Sequence, residues 1–243
     1  MIKWSLKELP EVDSTQNLIR KLGAEGAPEG TVVVAKRQIA GRGRHGRTWV
    51  SPEGGLYMSF LLRPPTSAAL QTLTLTASLA VVSGIQSATG LKANIRWPND
   101  VMIKDKKVAG VIAESSFTGE GLSFAMVGIG VNCNSSVSSV EPSSPATSLA
   151  GELGRDTDIN QLRQAILDSF GAAYGEWLKG TDVIRLARGV IGTIGKRVAV
   201  TMKSGENLEG VARGIDQAGG LLLERNGKKL VIHSEDIELL REA

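Results

Sequence analysis

Four short stretches of this chain combine residue types and spacings that could do chemistry. The first is Gln38-Ile-Ala-Gly41-Arg42-Gly43-Arg44-His45-Gly46-Arg47. Guanidinium forks and glycine-freed backbone amides both bind phosphate oxygens, so this is a candidate anion site. A solvated basic turn is the plainer alternative. The second is Arg96-Trp97-Pro98-Asn99-Asp100, whose Pro-Asn-Asp run also suits a tight bend. The third is Lys107-Val-Ala-Gly110, and the fourth is Gly128-Ile-Gly130-Val-Asn132. Glycine inside a strand marks either a closely approaching ligand or a bulge. None of the four is a Walker A loop or a dinucleotide fingerprint, and no G-x-S-x-G elbow occurs. With only His45, His233 and Cys133 available, no His/Cys metal cluster is plausible.

The elements that must hold these stretches follow from patterning. Asp13-Ser14-Thr15 offers N-caps for a helix through Leu18, Ile19 and Leu22 that closes at Gly23. Read alone, Ser14-Thr15 is first of all a cap. Thr31 to Ala35 reads as a buried strand, Leu56 to Leu62 as a second, and Ser67 to Ala88 as a long helix ended by Gly90. Pro98 keeps Trp97 extended after the short Ile95–Trp97 segment. Val101–Ile103 and Lys107–Ala113 flank a Lys104-Asp-Lys106 turn and form a hairpin. Leu122 to Val131 is a further strand, 133–148 a Ser/Pro-rich loop, and Ile159 to Leu178 an amphipathic helix. A short helix near Val183 to Arg188 follows.

From Gly195 the texture changes to four short strands, Arg197–Met202, Leu208–Gly214, Leu221–Glu224 and Lys229–Ile232, separated by Ser-Gly, Gly-Gly and Asn-Gly turns. The expected fold class is α+β, with a catalytic body over 1–190 and a small β-barrel over 191–243.

Composition narrows the partners. The chain has 243 residues, 28 Lys+Arg against 25 Asp+Glu, and a formal net charge of +3. That excess is too small to mark a nucleic-acid binder. It is also local: Thr31 to Val50 holds Lys36, Arg37, Arg42, Arg44 and Arg47 and no acid. Only four residues are Phe, which weakens a base-stacking platform. A single cysteine excludes an intrachain disulfide and fits a reducing compartment. No signal-peptide core and no bilayer-length apolar run occur, so the reading is a soluble cytoplasmic protein that binds no membrane and no DNA.

Together, the four stretches and Ser14-Thr15 resemble, in order and spacing over roughly the first 135 residues, the biotin protein ligases. The C-terminal segment looks like that family's SH3-like domain. The resemblance implies a mixed-sheet catalytic domain of the biotin/lipoate ligase type with a small SH3-like barrel. It implies two reactions: biotin's carboxylate attacks the α-phosphorus of ATP to give biotinyl-5′-AMP, and a lysine of a biotin carboxyl carrier protein then displaces AMP. ATP would arrive with Mg²⁺ on its phosphates rather than on protein side chains. Two departures stand out. Ser14 lies so near the start that no helix-turn-helix repressor domain would fit before it, and Gln16 stands where the family usually has Asn.

Carried over position by position, the resemblance assigns catalysis to Lys107, Arg42 and Asp100. It assigns biotin contacts to Ser14, Thr15, Gln16, Gln38, Arg42, Gly43, Arg44, Lys107, Gly110 and Gly130. Arg42, Arg44, Arg47, Trp49, Arg96, Asn99, Lys107 and Asn132 would contact ATP. Lys107 would bridge carboxylate and α-phosphate, and Gly41 and Gly43 would let backbone approach the ligand. Asn132 would read adenine or ribose. Asp100 would orient or deprotonate the incoming lysine. Residues 41–47 would gain order over the ligand and keep water from the adenylate.

An exposed sheet edge would allow a homodimer. The rivals are a lipoate ligase or octanoyltransferase on the same fold, the latter using Cys133 with Lys107, and a nucleic-acid-binding module. Cys133 on its own reads as a small buried hydrophobe, His45 as disfavouring charge between arginines, and His233 as a surface residue.

Overall fold

The computed structural model describes residues 2–65, 70–119, 121–135 and 145–242. A seven-stranded sheet forms the body, in the order β1-β2-β3-β7-β6-β5-β4. Its strands are β1 (Ser5–Val12), β2 (Thr31–Gln38), β3 (Leu56–Leu62), β4 (Asn94–Arg96), β5 (Asp100–Ile103), β6 (Lys106–Thr118) and β7 (Gly121–Val131). Only β1 and β2 run parallel; the other neighbours are antiparallel. The sheet is therefore mixed, as the α+β reading expects.

Strand alternation splits the apolar residues between two faces. On one, Val32, Val34, Met58, Phe60, Leu62, Val127 and Ile129 pack beneath α2 (Leu73–Thr89) and α4 (Ile159–Leu178). Gly84 lets these two helices meet closely, because a Cβ there would lie 2.5 Å from Ile166. Asp158 caps α4 by accepting from the amides of Asn160 and Gln161. On the other face a smaller cluster of Ile19, Val33, Leu61, Phe124 and Met126 seats α1 (Thr15–Ala24). Burying α1 at one end of that face leaves the rest of the face open, and there the site forms.

The C-terminal segment is a five-stranded antiparallel sheet, β11-β10-β9-β8-β12. Its strands are β8 (Arg197–Met202), β9 (Asn207–Ile215), β10 (Leu221–Arg225), β11 (Lys228–Ile232) and β12 (Ile237–Glu242). Val198, Val200, Ala212, Leu221, Leu223 and Ile237 are among its buried residues. Buried Trp97 ties it to the body: its amide donates to Thr193 Oγ1 and its indole to the Gly219 carbonyl. The Trp97–Pro98 peptide is cis.

Patterning missed three elements. β1 carries Pro10 and mostly exposed, charged residues, because it is an edge strand with little to bury. β12 breaks period-2 alternation at a register shift between Ile237 and Leu239. The short α3 (Leu149–Leu153) lies at the end of the expected 133–148 loop, of which 136–144 are outside the described residues. The long helix starts at Leu73 behind a 3₁₀ turn at Leu70–Thr72, and 67–69 of the expected range are likewise outside the described residues. No helix among the described residues is long and apolar enough to cross a membrane.

Candidate active site

The open face carries a cavity of about 870 Å³. Its floor comes from strand register. One row runs Ser59–Gly128–Ile112 across β3, β7 and β6, and the next runs Tyr57–Gly130–Gly110–Asp100 into β5. The β6–β7 pairing is unbroken from Ala109 to Ser116, so the two glycines of β7 are not a bulge. They make a trough instead. A Cβ at Gly130 would lie 2.5 Å from Trp49 Nε1, one at Gly110 would lie 3.1 Å from Trp49 Cζ3, and one at Gly128 would lie 2.6 Å from Gln16 Oε1. Trp49 and Gln16 lie in the space that the missing side chains leave.

At one end of the trough α1 begins. Ser14 occupies its N-cap position with extended backbone, yet its hydroxyl makes no capping bond and is buried without a partner. The cap reading of Ser14 is therefore corrected. Gln38 does the acceptor's work from β2: its Oε1 takes the Thr15 amide at 2.8 Å and the Thr15 hydroxyl at 3.1 Å. Thr15 Oγ1 also pairs with Ser59 Oγ at 2.9 Å, and Gln38 Nε2 donates to Ser51 Oγ at 2.8 Å. Gln16, the longer amide, donates to Glu114 Oε2 at 2.9 Å while its Oε1 stays buried and unpaired beside Gly128.

Farther along, Lys107 Nζ sits 2.5 Å from Asp100 Oδ1 and 5.2 Å from the centre of the Trp49 ring. Arg96 holds the other Asp100 oxygen at 2.7 Å. Burial pushes the Asp100 carboxyl up, but Lys107 and then Arg96 outweigh it and hold it below the ordinary carboxylate value. Asp100 is thus an ionised acceptor and a weak base at neutral pH.

Arg44 donates to Asn99 Oδ1 at 3.2 Å and to the Ser234 carbonyl, and Arg47 donates to the Glu238 carbonyl at 3.0 Å. Asn99 in turn donates to the Val111 carbonyl. Between the arginines His45 is left-handed, φ 54°. Partial burial first, then Arg44, Lys203 and Arg47, lower its pKa and disfavour its charged form. Eight cationic side chains line the cavity against four acids, which suits an anionic ligand.

Of the site residues expected from sequence, all but Gly41 line this one cavity: Ser14, Thr15, Gln16, Gln38, Arg42, Gly43, Arg44, Arg47, Trp49, Arg96, Asn99, Asp100, Lys107, Gly110, Gly130 and Asn132. Gly41 differs from expectation, Asn132 gains a bond within the chain, and Cys133 is the small buried hydrophobe expected of it. Gly41 is outside the lining, and its missing Cβ makes room for the Trp49 carbonyl and Ser51 within the chain's own turn. Asn132 spends its amide on the Thr147 carbonyl, anchoring the strand end. Cys133 is fully buried outside the lining, and burial pushes its thiol up to about 12, which leaves it inert as a nucleophile. His233 is exposed, as read.

Sequence reasoning missed Ser59, Lys196 and the β12 wall from Ile237 to Glu242. A lone serine inside the apolar run Leu56–Leu62 was a legible signal. The β12 wall was not, since it lies about 190 residues from the loop it meets.

Comparison with known proteins gives the family. Residues 9–132 match the model of the biotin/lipoate A/B protein ligase family, and residues 193–240 match that of the biotin protein ligase C terminal domain. A bifunctional ligase/repressor BirA of Bacillus subtilis is 39% identical over 94% of this chain and 72% of its own length. A biotin–[acetyl-CoA-carboxylase] ligase of Paracoccus denitrificans is 35% identical over 94% of this chain and 98% of its own. A biotin protein ligase from Aquifex aeolicus, solved in complex with biotin and ATP, superposes with a TM-score of 0.85 at 31% identity, covering 98% of this chain and 99% of that one. The chain belongs to the biotin/lipoate A/B protein ligase family, on its biotin protein ligase branch.

Proposed function

We propose that this chain activates biotin with ATP and transfers it to a lysine of a biotin carboxyl carrier protein. The observation that carries the reading is the position of Lys107. Its ammonium, paired with Asp100 at 2.5 Å and 5.2 Å from the centre of the Trp49 ring, shares one cavity with the hydrogen-bonding residues Ser14, Thr15 and Gln38 and with Arg44 and Arg47.

In the first step a biotin carboxylate oxygen attacks the α-phosphorus, the P–O bond to the β-phosphate breaks, and pyrophosphate leaves. The obstacle is one anion approaching another. Lys107 and Arg42 lower that repulsion, while Arg44 and Arg47 hold phosphate oxygens. The residues at the Ser14 end offer donors and acceptors to the ureido group, and Trp49 covers the apolar rings. Mg²⁺ would come in on the ATP phosphates. There it would offset phosphate charge.

In the second step the carrier's lysine, having lost a proton from its ammonium to water, attacks the acyl carbon as a neutral amine; the bond from that carbon to the AMP oxygen breaks, AMP leaves, and the nitrogen sheds its second proton to solvent. Asp100, ionised and held between Lys107 and Arg96, orients the incoming ammonium by accepting its hydrogen bond; its lowered pKa makes it an orienting group before a base. Closure of residues 41–47 keeps water from the mixed anhydride.

The reading carries further assignments. We take 1–190 as the catalytic domain and 191–243 as the SH3-like one, the cytoplasm as the site of action, and the open β1 edge as a surface able to pair in a homodimer.

Biotin-dependent exchange of label between pyrophosphate and ATP tests the first step, with lipoate and octanoate in parallel. Exchange with biotin alone, falling at least about 100-fold in Lys107→Ala, is the expected result. Exchange only with lipoate or octanoate would overturn the substrate, and none with any acid would overturn adenylation.

A further inference from the structure

Glu114 lies outside the cavity lining but grips two residues that are in it. It stands on the α1 face of β6, two residues beyond Ile112 of the trough floor. Its Oε1 accepts from Arg42 Nη2 at 3.2 Å. Its Oε2 accepts from Gln16 Nε2 at 2.9 Å and pairs with Arg20 at 2.9 Å. The second arm of the Arg42 guanidinium is held at 3.0 Å by Asn17 Oδ1, on α1 next to Gln16. One carboxylate thus fixes the loop arginine, the amide over Gly128 and the first turns of α1 relative to the sheet.

We infer that Glu114 is a positioning residue for the acid-substrate end of the site. It sets the Arg42 guanidinium and the Gln16 amide before substrate arrives. Arg42 is more than a third exposed and sits on a glycine-rich loop. Without its carboxylate partner its long side chain regains rotamer freedom that binding must then remove. Gln16 has a buried Oε1 without a partner beside Gly128, and the Nε2 bond to Glu114 holds that oxygen turned toward the trough. Asp100 lies opposite Gly110 and Lys107 opposite Met102, both farther along the sheet than Glu114, and the two pair with each other at 2.5 Å, so separate carboxylates set the two ends.

This inference rests on the biotin-activating reading, and the test separates the two. Pyrophosphate exchange is measured with wild type, Glu114→Gln, Glu114→Ala, Arg42→Ala and the Glu114→Ala/Arg42→Ala pair, varying biotin and ATP in turn. Glu114→Gln keeps the volume, loses the charge, and turns an NH₂ toward donors. It is expected to raise the biotin KM about tenfold or more and by clearly more than the ATP KM, with kcat lowered as well because Arg42 also serves the first step. The double variant is expected to lose little beyond Arg42→Ala, because the two act as a unit. Arg20→Ala breaks the Arg20–Glu114 ion pair without touching the cavity and is expected to leave both KM values near wild type. Equal rises in both KM values, or a biotin KM within about twofold of wild type in Glu114→Gln, would overturn the positioning role. Absence of biotin-dependent exchange in wild type would instead overturn the reading beneath it.

Discussion

Adding one methyl group to the trough floor should disable the site without unfolding the protein. An alanine Cβ at Gly130 would fall 2.5 Å from Trp49 Nε1 and 2.7 Å from its Cε2. Comfortable heavy-atom contact is about 3.5 Å, so the indole must withdraw by about 1 Å. Trp49 is only partly buried and borders open cavity, so it has room to move. The strain should stay near the low end of the roughly 1–3 kcal/mol seen for overpacking, partly offset by the gain of about 0.5–1 kcal/mol when alanine replaces glycine in a strand.

The indole, however, also lies beneath Lys107, 5.2 Å from its ammonium. A displacement of about 1 Å at a positioned catalytic group costs about 100-fold in rate, or roughly 2.7 kcal/mol. Gly110→Ala is the internal control. Its Cβ would lie 3.1 Å from Trp49 Cζ3, so the ring gives by only a few tenths of an ångström and the loss should be several-fold. The assay is kcat/KM for biotin-dependent pyrophosphate exchange, with thermal melts of both variants alongside. A Gly130→Ala enzyme within about threefold of wild type, or a Gly110→Ala enzyme hit equally hard, would refute the trough geometry.

Two more outcomes follow from the side chains around that trough. Ser14→Ala removes a buried hydroxyl that caps nothing, so the ligand-free melting temperature should hold or rise while biotin affinity falls; a loss of about 1 kcal/mol would restore the cap reading. Asp100 has a lowered folded pKa, so its pairing stabilises above the ordinary carboxylate value of about 3.9 and is lost as pH falls through the lower folded value. Asp100→Asn should therefore lower the melting temperature at pH 7 and melt with less dependence on pH below about 4, and melting curves parallel to wild type across that range would contradict the pairing.

The chain's own pattern made the buried elements legible. Leu56–Leu62, Ile159–Leu178 and Arg197–Met202 have the boundaries expected from apolar runs and turn residues, because burial wrote those runs. β1 and β12 escaped for opposite reasons. β1 buries too little to show a pattern, and β12 buries Ile237 and Leu240 across a register shift that scrambles alternation. The site was legible as a set of residue types: anion-binding arginines, a lysine, and glycines in a strand. Its internal wiring was not. That Gln38 would cap α1, that Gly41 would serve Trp49, and that Arg44 and Arg47 would reach the C-terminal sheet depend on contacts between distant parts of the chain.

The polar atoms left without partners tie the fold to the chemistry. Among the described residues five buried side-chain polar atoms lack one, and three of them, Ser14 Oγ, Gln16 Oε1 and Trp49 Nε1, belong to residues lining the same cavity. Each such atom costs about 1–3 kcal/mol when nothing satisfies it, so three together are a burden that selection for stability alone would remove. Apolar replacements would fit two of the positions easily. Ser14 forms no cap, and Gln16 lies over a glycine with space for a shorter side chain. The three atoms form a mixed set, an oxygen acceptor, a hydroxyl that donates or accepts, and an indole donor, spread along a trough floored by glycine. A flexible acyl chain would bury them still unpaired, whereas a ligand with both amide-like donors and a carbonyl would satisfy the oxygen at Gln16 and the hydroxyl at Ser14 together. On that ground a fused ureido ring such as biotin's is expected to suit this trough better than an unbranched acyl chain.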